Sequence, residues 1–236
     1  MNIALLTAAG NGSRMHQDIP KQFIHINNKP LIIYTLEAFQ GHPSIDAILV
    51  VGLSGWIEIL WAYAKQFNID KLKWVVPGGE TSQESIYNGI MELKKHCSPQ
   101  DAIMIHDGNR AFVTEEIISD SLVKYALYQS AVAAIPCTEA VFRSDDGTSS
   151  KSSIPREQLY RTQTPHTYSL EKLLWAHEQA GEKGIRNTIA TCDLMCQLGE
   201  TICFSKGSEK NIKITTVDDI EIFQALLASK KESWIK

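Results

Sequence analysis

Ile3-Ala-Leu-Leu-Thr7, running directly into Ala8-Ala-Gly-Asn-Gly-Ser-Arg-Met15, decides the fold class. A short apolar run closed by two glycines reads as a buried strand ending in a loop, and Pro30 to Phe39 then places apolar residues at helical spacing. The unit recurs. Ala47-Ile-Leu-Val-Val-Gly52 predicts a second strand and Ile57 to Phe67 a second helix, and Leu72-Lys-Trp-Val-Val76 with Ser82 to Lys95 repeats the pair. Ala102-Ile-Met-Ile-His106, a helix over Glu115 to Tyr128 and a strand over Ala131-Val-Ala-Ala-Ile-Pro136 complete the series. This alternation predicts an α/β fold with a doubly wound, mostly parallel, Rossmann-like sheet over the first 136 residues. Ligands of such sheets sit at the carboxyl ends of the strands.

The register changes after residue 136. Residues 144–155 are polar and turn-rich, flanked by β-like runs around Val141-Phe142 and Leu159-Tyr160, which predicts a projecting β-arm over about 138–160. A lone hairpin is marginal in water, so the arm is expected to pack on a second subunit. Residues 169–180 and 187–198 read as helices, Thr201 to Phe204 as a strand, and Asp218 to Ser229 as a final helix capped by Asp218 or Thr216. With no internal repeat, residues 1–236 read as one domain carrying the arm.

Composition narrows the function classes. A chain of 236 residues with 44% hydrophobic content buries a core without a disulfide or metal staple. Lysine plus arginine number 23 against 27 acidic residues, a net charge of −4, which argues against a nucleic-acid partner and means that an anionic ligand is held by a local cluster. Five cysteines with no Cys-X2-Cys pair fit reduced thiols in a cytoplasmic setting. Residues 1–10 lack the features of a signal peptide, and no stretch reaches the roughly 18 apolar residues of a membrane span.

Three stretches bring chemistry to the ligand edge of the sheet. The loop holding Gly10, Gly12 and Arg14 offers backbone N–H groups and a cation to phosphates, although Gly-X-Gly after a strand is equally a simple turn. It is neither a dinucleotide fingerprint nor a Walker loop. Lys21, in Ile19-Pro-Lys-Gln-Phe23, adds a second cation seven residues after Arg14, or is a solvated surface lysine. His106-Asp-Gly-Asn-Arg110 follows the fourth strand: Asp107 suits Mg2+ through an oxygen and Arg110 an anionic substrate, or the two form an ion pair bracing the loop. His106 reads as a hydrogen-bonded structural histidine. Trp56, Trp61, Trp74 and Trp175 read as packing residues, Cys192 and Cys196 as buried thiols, and Lys230-Lys231 as helix-end cations.

Taken in order, these pieces resemble the cytidylyltransferases that make CDP-activated alditols and CDP-methylerythritol. Their Ala-Ala-Gly-X-Gly-X-Arg-Met start and Pro-Lys-Gln stand here as Ala8 to Met15 and Pro20-Lys21-Gln22. Gly78-Gly-Glu80 with Ser85, His106-Asp107 with Arg110, Pro136-Cys-Thr138, Arg156, Gln163-Thr164-Pro165 and Asn211-Ile-Lys213 continue the likeness almost end to end. The resemblance implies CTP over the first loop, with Ala8, Ala9, Gly10 and Gly12 beside the nucleotide and Gly78, Glu80 and Ser85 reading the cytosine. It implies Arg14, Lys21 and Lys213 as the catalytic cations, Asp107 orienting the nucleotide and its Mg2+, and Arg110 and Thr164 on the acceptor side. Thr138 and Arg156 would reach the polyol phosphate in the partner's site of a homodimer with exchanged arms.

Three departures from the family pattern stand out: Ala111 where proline is usual, Ser82 where an arginine is usual, and Asn187-Thr-Ile-Ala-Thr-Cys-Asp193 where many relatives carry an acid near the substrate. The expected reaction is transfer of CMP from CTP to an alditol phosphate, with D-ribitol 5-phosphate preferred and 2-C-methyl-D-erythritol 4-phosphate the alternative. A non-catalytic nucleotide-binding regulatory module is the competing class.

Overall fold

The computed structural model describes residues 1–10 and 19–229, so Gly12, Arg14 and Lys230-Lys231 lie outside the described residues. In chain order the elements are β1 (Asn2–Ala8), β2 (His25–Ile26), β3 (Lys29–Pro30), α1 (Leu31–Gly41), β4 (Ala47–Gly52), α2 (Ile57–Gln66), β5 (Leu72–Pro77), α3 (Ser82–Leu93), β6 (Ala102–Asp107) and α4 (Glu115–Tyr128). They continue with β7 (Ala131–Pro136), β8 (Val141–Arg143), β9 (Ser152–Ile154), β10 (Tyr160–Ser169), α5 (Leu170–Lys183), α6 (Thr191–Gln197), β11 (Phe204–Lys206) and α7 (Val217–Ser229).

Seven strands form one sheet in the order β11-β7-β10-β6-β1-β4-β5. β1 pairs in parallel with β4 and β6, β4 with β5, and β7 with β11. β1, β4 and β7 are nearly continuous apolar runs because both faces are covered. Ile3 and Leu5 of β1 and Leu49 and Val51 of β4 enter the cluster under α3, α5 and α6, while Ala4, Leu6, Ile48 and Val50 enter the opposite cluster under α1, α2 and α4. Near α7 a third cluster joins Ile26, Leu31, Ala111, Phe112, Ile214 and Phe223. Ala111, where the family usually has proline, is thus part of this core. The helix predicted from Asp218 begins at Val217, with Thr216 Oγ1 accepting from Asp219 N–H and Asp219 Oδ2 accepting from Thr215 and Thr216 N–H.

β10 is the strand that the sequence conceals. Leu159-Tyr160 reads as the return of the arm, but the arm pairs β8 with β9, Val141 opposite Ile154. Tyr160 instead opens a ten-residue strand inserted antiparallel between β6 and β7. A polar composition with Pro165 inside it hides this strand. Its buried residues include Gln163, His166, Thr167 and Ser169, kept there by hydrogen bonds such as Thr167 Oγ1 to Ser121 Oγ at 2.8 Å. Smaller corrections follow from burial. Cys196 is exposed on the outer side of its helix, and Trp61, whose setting suits either core or interface packing, is 38% exposed and so lies outside the core. The helix read over 187–198 begins at Thr191, leaving 187–190 as a loop.

Gly89 on α3 is the closest approach of helix to sheet: an added Cβ would stand 2.8 Å from Leu5 Cδ1 and 2.9 Å from Val51 Cγ2. Gly89→Val is expected to destabilise the chain by about 1–3 kcal/mol through overpacking. A urea midpoint equal to wild type would show that α3 does not seat there.

Burial also sets the response to pH. Desolvation holds His106, His166 and His177 at about 4, below the ordinary 6.5. Between those values the unfolded chain binds more protons than the folded one, so stability is full above pH 6.5 and falls as the pH drops through 4, by up to roughly 1.4 kcal/mol per pH unit for each ring. Urea midpoints at pH 7, 5.5 and 4.5 should decline in that order. A flat profile would mean that these rings titrate as free histidines.

Candidate active site

The loops after β1, β5 and β6 meet at the carboxyl edge of the sheet. The Gln22 amide pins the first of them, Nε2 donating to Ala8 O at 2.6 Å and Gly10 O at 3.3 Å, which holds Lys21 beside the same loop. The β5 loop closes on it so tightly that a Cβ on Gly78 would lie 2.2 Å from Ala9 Cβ. Beyond Gly78, a capping box starts α3: Thr81 Oγ1 accepts from Glu84 N–H, and Glu84 Oε2 accepts from Thr81 N–H. Ser85 Oγ accepts from Gly79 N–H at 3.1 Å. The result is a cavity lined by Ala8, Ala9, Gly10, Lys21, Glu80, Ser85, Asp107 and Lys213 among others.

Asp107 is the electrostatic centre. Arg110 Nε lies 3.0 Å from Oδ2 and Lys213 Nζ 3.0 Å from Oδ1. Burial raises the carboxyl pKa, but Lys213 and Arg110 outweigh it and hold the group at about 2. It is therefore ionised throughout the physiological range. Lys213 arrives from 106 residues away because its segment is stitched to the 109–110 loop. Ile214 N–H donates to Asn109 O at 3.0 Å, Asn109 Nδ2 donates to Ile214 O, and Arg110 Nη1 donates to Asn211 O at 2.7 Å.

His106 is structural, as its sequence setting suggests. Thr164 Oγ1 accepts from Asp107 N–H at 3.0 Å and donates to His106 Nδ1 at 3.0 Å, while His106 Nε2 donates to Arg110 O at 3.1 Å. This chain fixes the backbone on both sides of Asp107.

A second cavity lies across the Asp107 and Lys213 side chains. It shares Thr7, Ser82, Asp107 and Lys213 with the first and adds Arg110, Thr162, Thr164, His166 and the 189–191 stretch. Ile189, Ala190 and Thr191 of the Asn187–Asp193 departure therefore border this lobe, and the neighbouring Thr188 is anchored by Gln83 Oε1, which accepts from Thr188 N–H at 3.1 Å. Ser82 borders both lobes with a hydroxyl where a cation is usual.

Of the residues selected from sequence, Ala8, Ala9, Gly10, Lys21, Glu80, Ser85, Asp107 and Lys213 meet at the first lobe, with Gly78 packed behind it, and Arg110 and Thr164 at the second. Thr138 and Arg156 do not join either. They line a separate hollow at the base of the arm, where Arg156 Nη1 donates to Thr138 O at 3.4 Å. Gly12 and Arg14 fall outside the described residues. Gln22, Asn109, Asn211 and His166 shape the site without having been singled out, since a buried amide or imidazole carries no periodic signature. Among the described residues no group of three or more His, Cys, Asp or Glu forms a metal cage. Asp107 offers an ionised carboxylate beside the first lobe, whose lining also includes Glu80, and this suits Mg2+, a cation that takes one or two protein carboxylates and fills its remaining positions with phosphate oxygens and water.

The chain was compared with known proteins. A ribitol-5-phosphate cytidylyltransferase of Lacticaseibacillus paracasei is 41% identical over 98% of this chain and 100% of that one. A 2-C-methyl-D-erythritol 4-phosphate cytidylyltransferase of Clostridium botulinum is 34% identical over 96% of this chain and 97% of its own length. Among solved structures, the 2-C-methyl-D-erythritol 4-phosphate cytidylyltransferase of Francisella tularensis superposes with a TM-score of 0.78 at 26% identity, covering 95% of this chain and 100% of that one. The family model described as IspD, 2-C-methyl-D-erythritol 4-phosphate cytidylyltransferase, matches residues 2–229, and the chain belongs to this family of nucleotidyltransferases.

Proposed function

We propose that the protein transfers CMP from CTP to D-ribitol 5-phosphate, giving CDP-ribitol and pyrophosphate. The observation that carries this reading is a pair of cavities that share Asp107 and Lys213 in their walls, which supports two anionic substrates meeting at one cation. CTP occupies the first lobe, with the base toward Gly78, Glu80 and Ser85 and the triphosphate over Ala8, Ala9, Gly10 and Gly12. An oxygen of the acceptor phosphate attacks the α-phosphorus in line. The bond to the bridging oxygen of the β-phosphate breaks, and pyrophosphate carries the negative charge away. Such a transfer needs positioning and charge neutralisation more than a covalent nucleophile. Arg14, Lys21 and Lys213 supply the cations and Arg110 the acceptor-side charge. Mg2+, held by an Asp107 oxygen, would neutralise the triphosphate when bound.

Ribitol is favoured by the 41% identity to a ribitol enzyme against 34% to a methylerythritol one. The family model names methylerythritol phosphate, which makes that acceptor the second reading. The five cysteines are unpaired, which supports a reducing, cytoplasmic setting, and no described helix is long and apolar enough to cross a membrane. The hollow holding Thr138 and Arg156 shares no residue with either lobe, which supports a homodimer whose arms complete each other's sites.

Pyrophosphate release from CTP and Mg2+ should require ribitol 5-phosphate and be slower with methylerythritol phosphate. The reverse order installs the second reading, and tight CTP binding with no release on any acceptor leaves a regulatory module. Lys21→Ala and Lys213→Ala should each lower turnover by about 100-fold, the scale of a lost transition-state charge, and near-normal rates would contradict the assignment. Mixing inactive Arg156→Ala and Lys213→Ala subunits should restore activity, because one site of each mixed dimer regains both residues. Mixed dimers without activity would mean that each subunit completes its own site.

A further inference from the structure

Three histidines are buried in the core of this chain, and two have both ring nitrogens bonded. His42 Nε2 pairs with Ser119 Oγ at 2.9 Å and its Nδ1 accepts from Ser44 N–H at 3.2 Å, and His106 sits in the chain described above. His166 differs. It is 2% exposed and lies on β10 opposite Ile105, yet its Nε2 has no hydrogen-bond partner. An unsatisfied polar atom of this kind is rare in a core, and where one lines a cavity it marks a place for a ligand group. His166 is a lining residue of the second lobe.

We propose that His166 determines acceptor specificity by hydrogen-bonding a hydroxyl of the polyol chain of the phosphate acceptor. The inference rests on the two-lobed reading above and goes beyond it, assigning one residue to the part of the acceptor that carries no charge. The division of labour follows from chemistry. Arg110 and Lys213 border the same lobe and suit the phosphate, whereas burial keeps the His166 ring neutral, with its pKa down at about 4. A neutral imidazole offers one donor and one acceptor, and a hydroxyl can answer either. The hydroxyls of Thr162, Thr164 and Thr191 border the same lobe, so its polar lining is suited to alcohols. A site built to hydrogen-bond a substrate hydroxyl discriminates strongly against an analogue that lacks it.

The test uses the full-length enzyme with His166→Phe, which removes the hydrogen bond, and His166→Gln, which keeps a polar group. His166→Phe should raise KM for the acceptor about tenfold or more while KM for CTP and the melting temperature stay near wild type, and His166→Gln should recover part of the loss. With acceptor phosphates each lacking one hydroxyl, the wild-type enzyme should lose about tenfold in kcat/KM at one position, and His166→Phe should be indifferent there. An acceptor kcat/KM within twofold of wild type, or a loss shared equally by CTP and acceptor, overturns the proposal. Should His166→Phe fail to fold, the imidazole 15N shifts of the wild-type protein decide, moving when ribitol 5-phosphate is added or, if the proposal is wrong, staying still. If the wild-type enzyme uses methylerythritol phosphate and not ribitol phosphate, the ribitol reading fails, and the same variants, shift measurement and criteria apply with that acceptor.

Discussion

The site depends on one half-buried carboxylate held between two cations. Asp107 sits at the end of β6 with Arg110 on one oxygen and Lys213 on the other, each at 3.0 Å. Removing a charge pair from water is costly unless the geometry is good and the remaining bonding capacity is used. Here the backbone around the carboxylate is fixed through Thr164 and His106, and the segment carrying Lys213 is laced to Asn109 and Arg110. Strand, loop and a segment more than a hundred residues away are thereby locked into one frame, with a cation presented to both lobes.

The same frame explains why β10 must lie where it does. A wholly parallel sheet would place another β-α crossover beside β6. The antiparallel β10 instead brings Thr162, Thr164 and His166 alongside Asp107, and its register shift between Thr162 and His166 against β7 departs from regular pairing where the second lobe forms. The two adjoining cavities thereby share the Asp107 and Lys213 ion pair in their walls.

How much of this was legible follows from which forces leave a pattern in sequence. Strands such as Ala47–Gly52 and Ala131–Pro136 are continuous apolar runs, and the helix over Glu115–Tyr128 carries both a cap and a period, so each is readable locally. The strand Tyr160–Ser169 is not, because it is held by side-chain hydrogen bonds from polar residues and by neighbours on both sides. The cavity-lining residues Lys21, Asp107 and Lys213 were legible as charges near strand ends and through family motifs. Gln22, Asn109 and Asn211, which position them, stood inside the same stretches but with no role legible, since a buried amide bonded to distant backbone has no local signature. Asp107 and Arg110 form the ion pair that their spacing allowed, and the pair borders a cavity.

The central claim is that two anionic substrates face each other across the Asp107 and Lys213 pair. A crystal structure with Mg2+, ribitol 5-phosphate and a CTP analogue that cannot release pyrophosphate tests it most directly. The account predicts the α-phosphorus beside Lys213 Nζ, the triphosphate over Ala8 to Gly10 and Lys21, and the acceptor phosphate in line from the lobe containing Arg110 and His166. A nucleotide bound away from Lys21 and Lys213, or both substrates entering from the same side of Asp107, would contradict it.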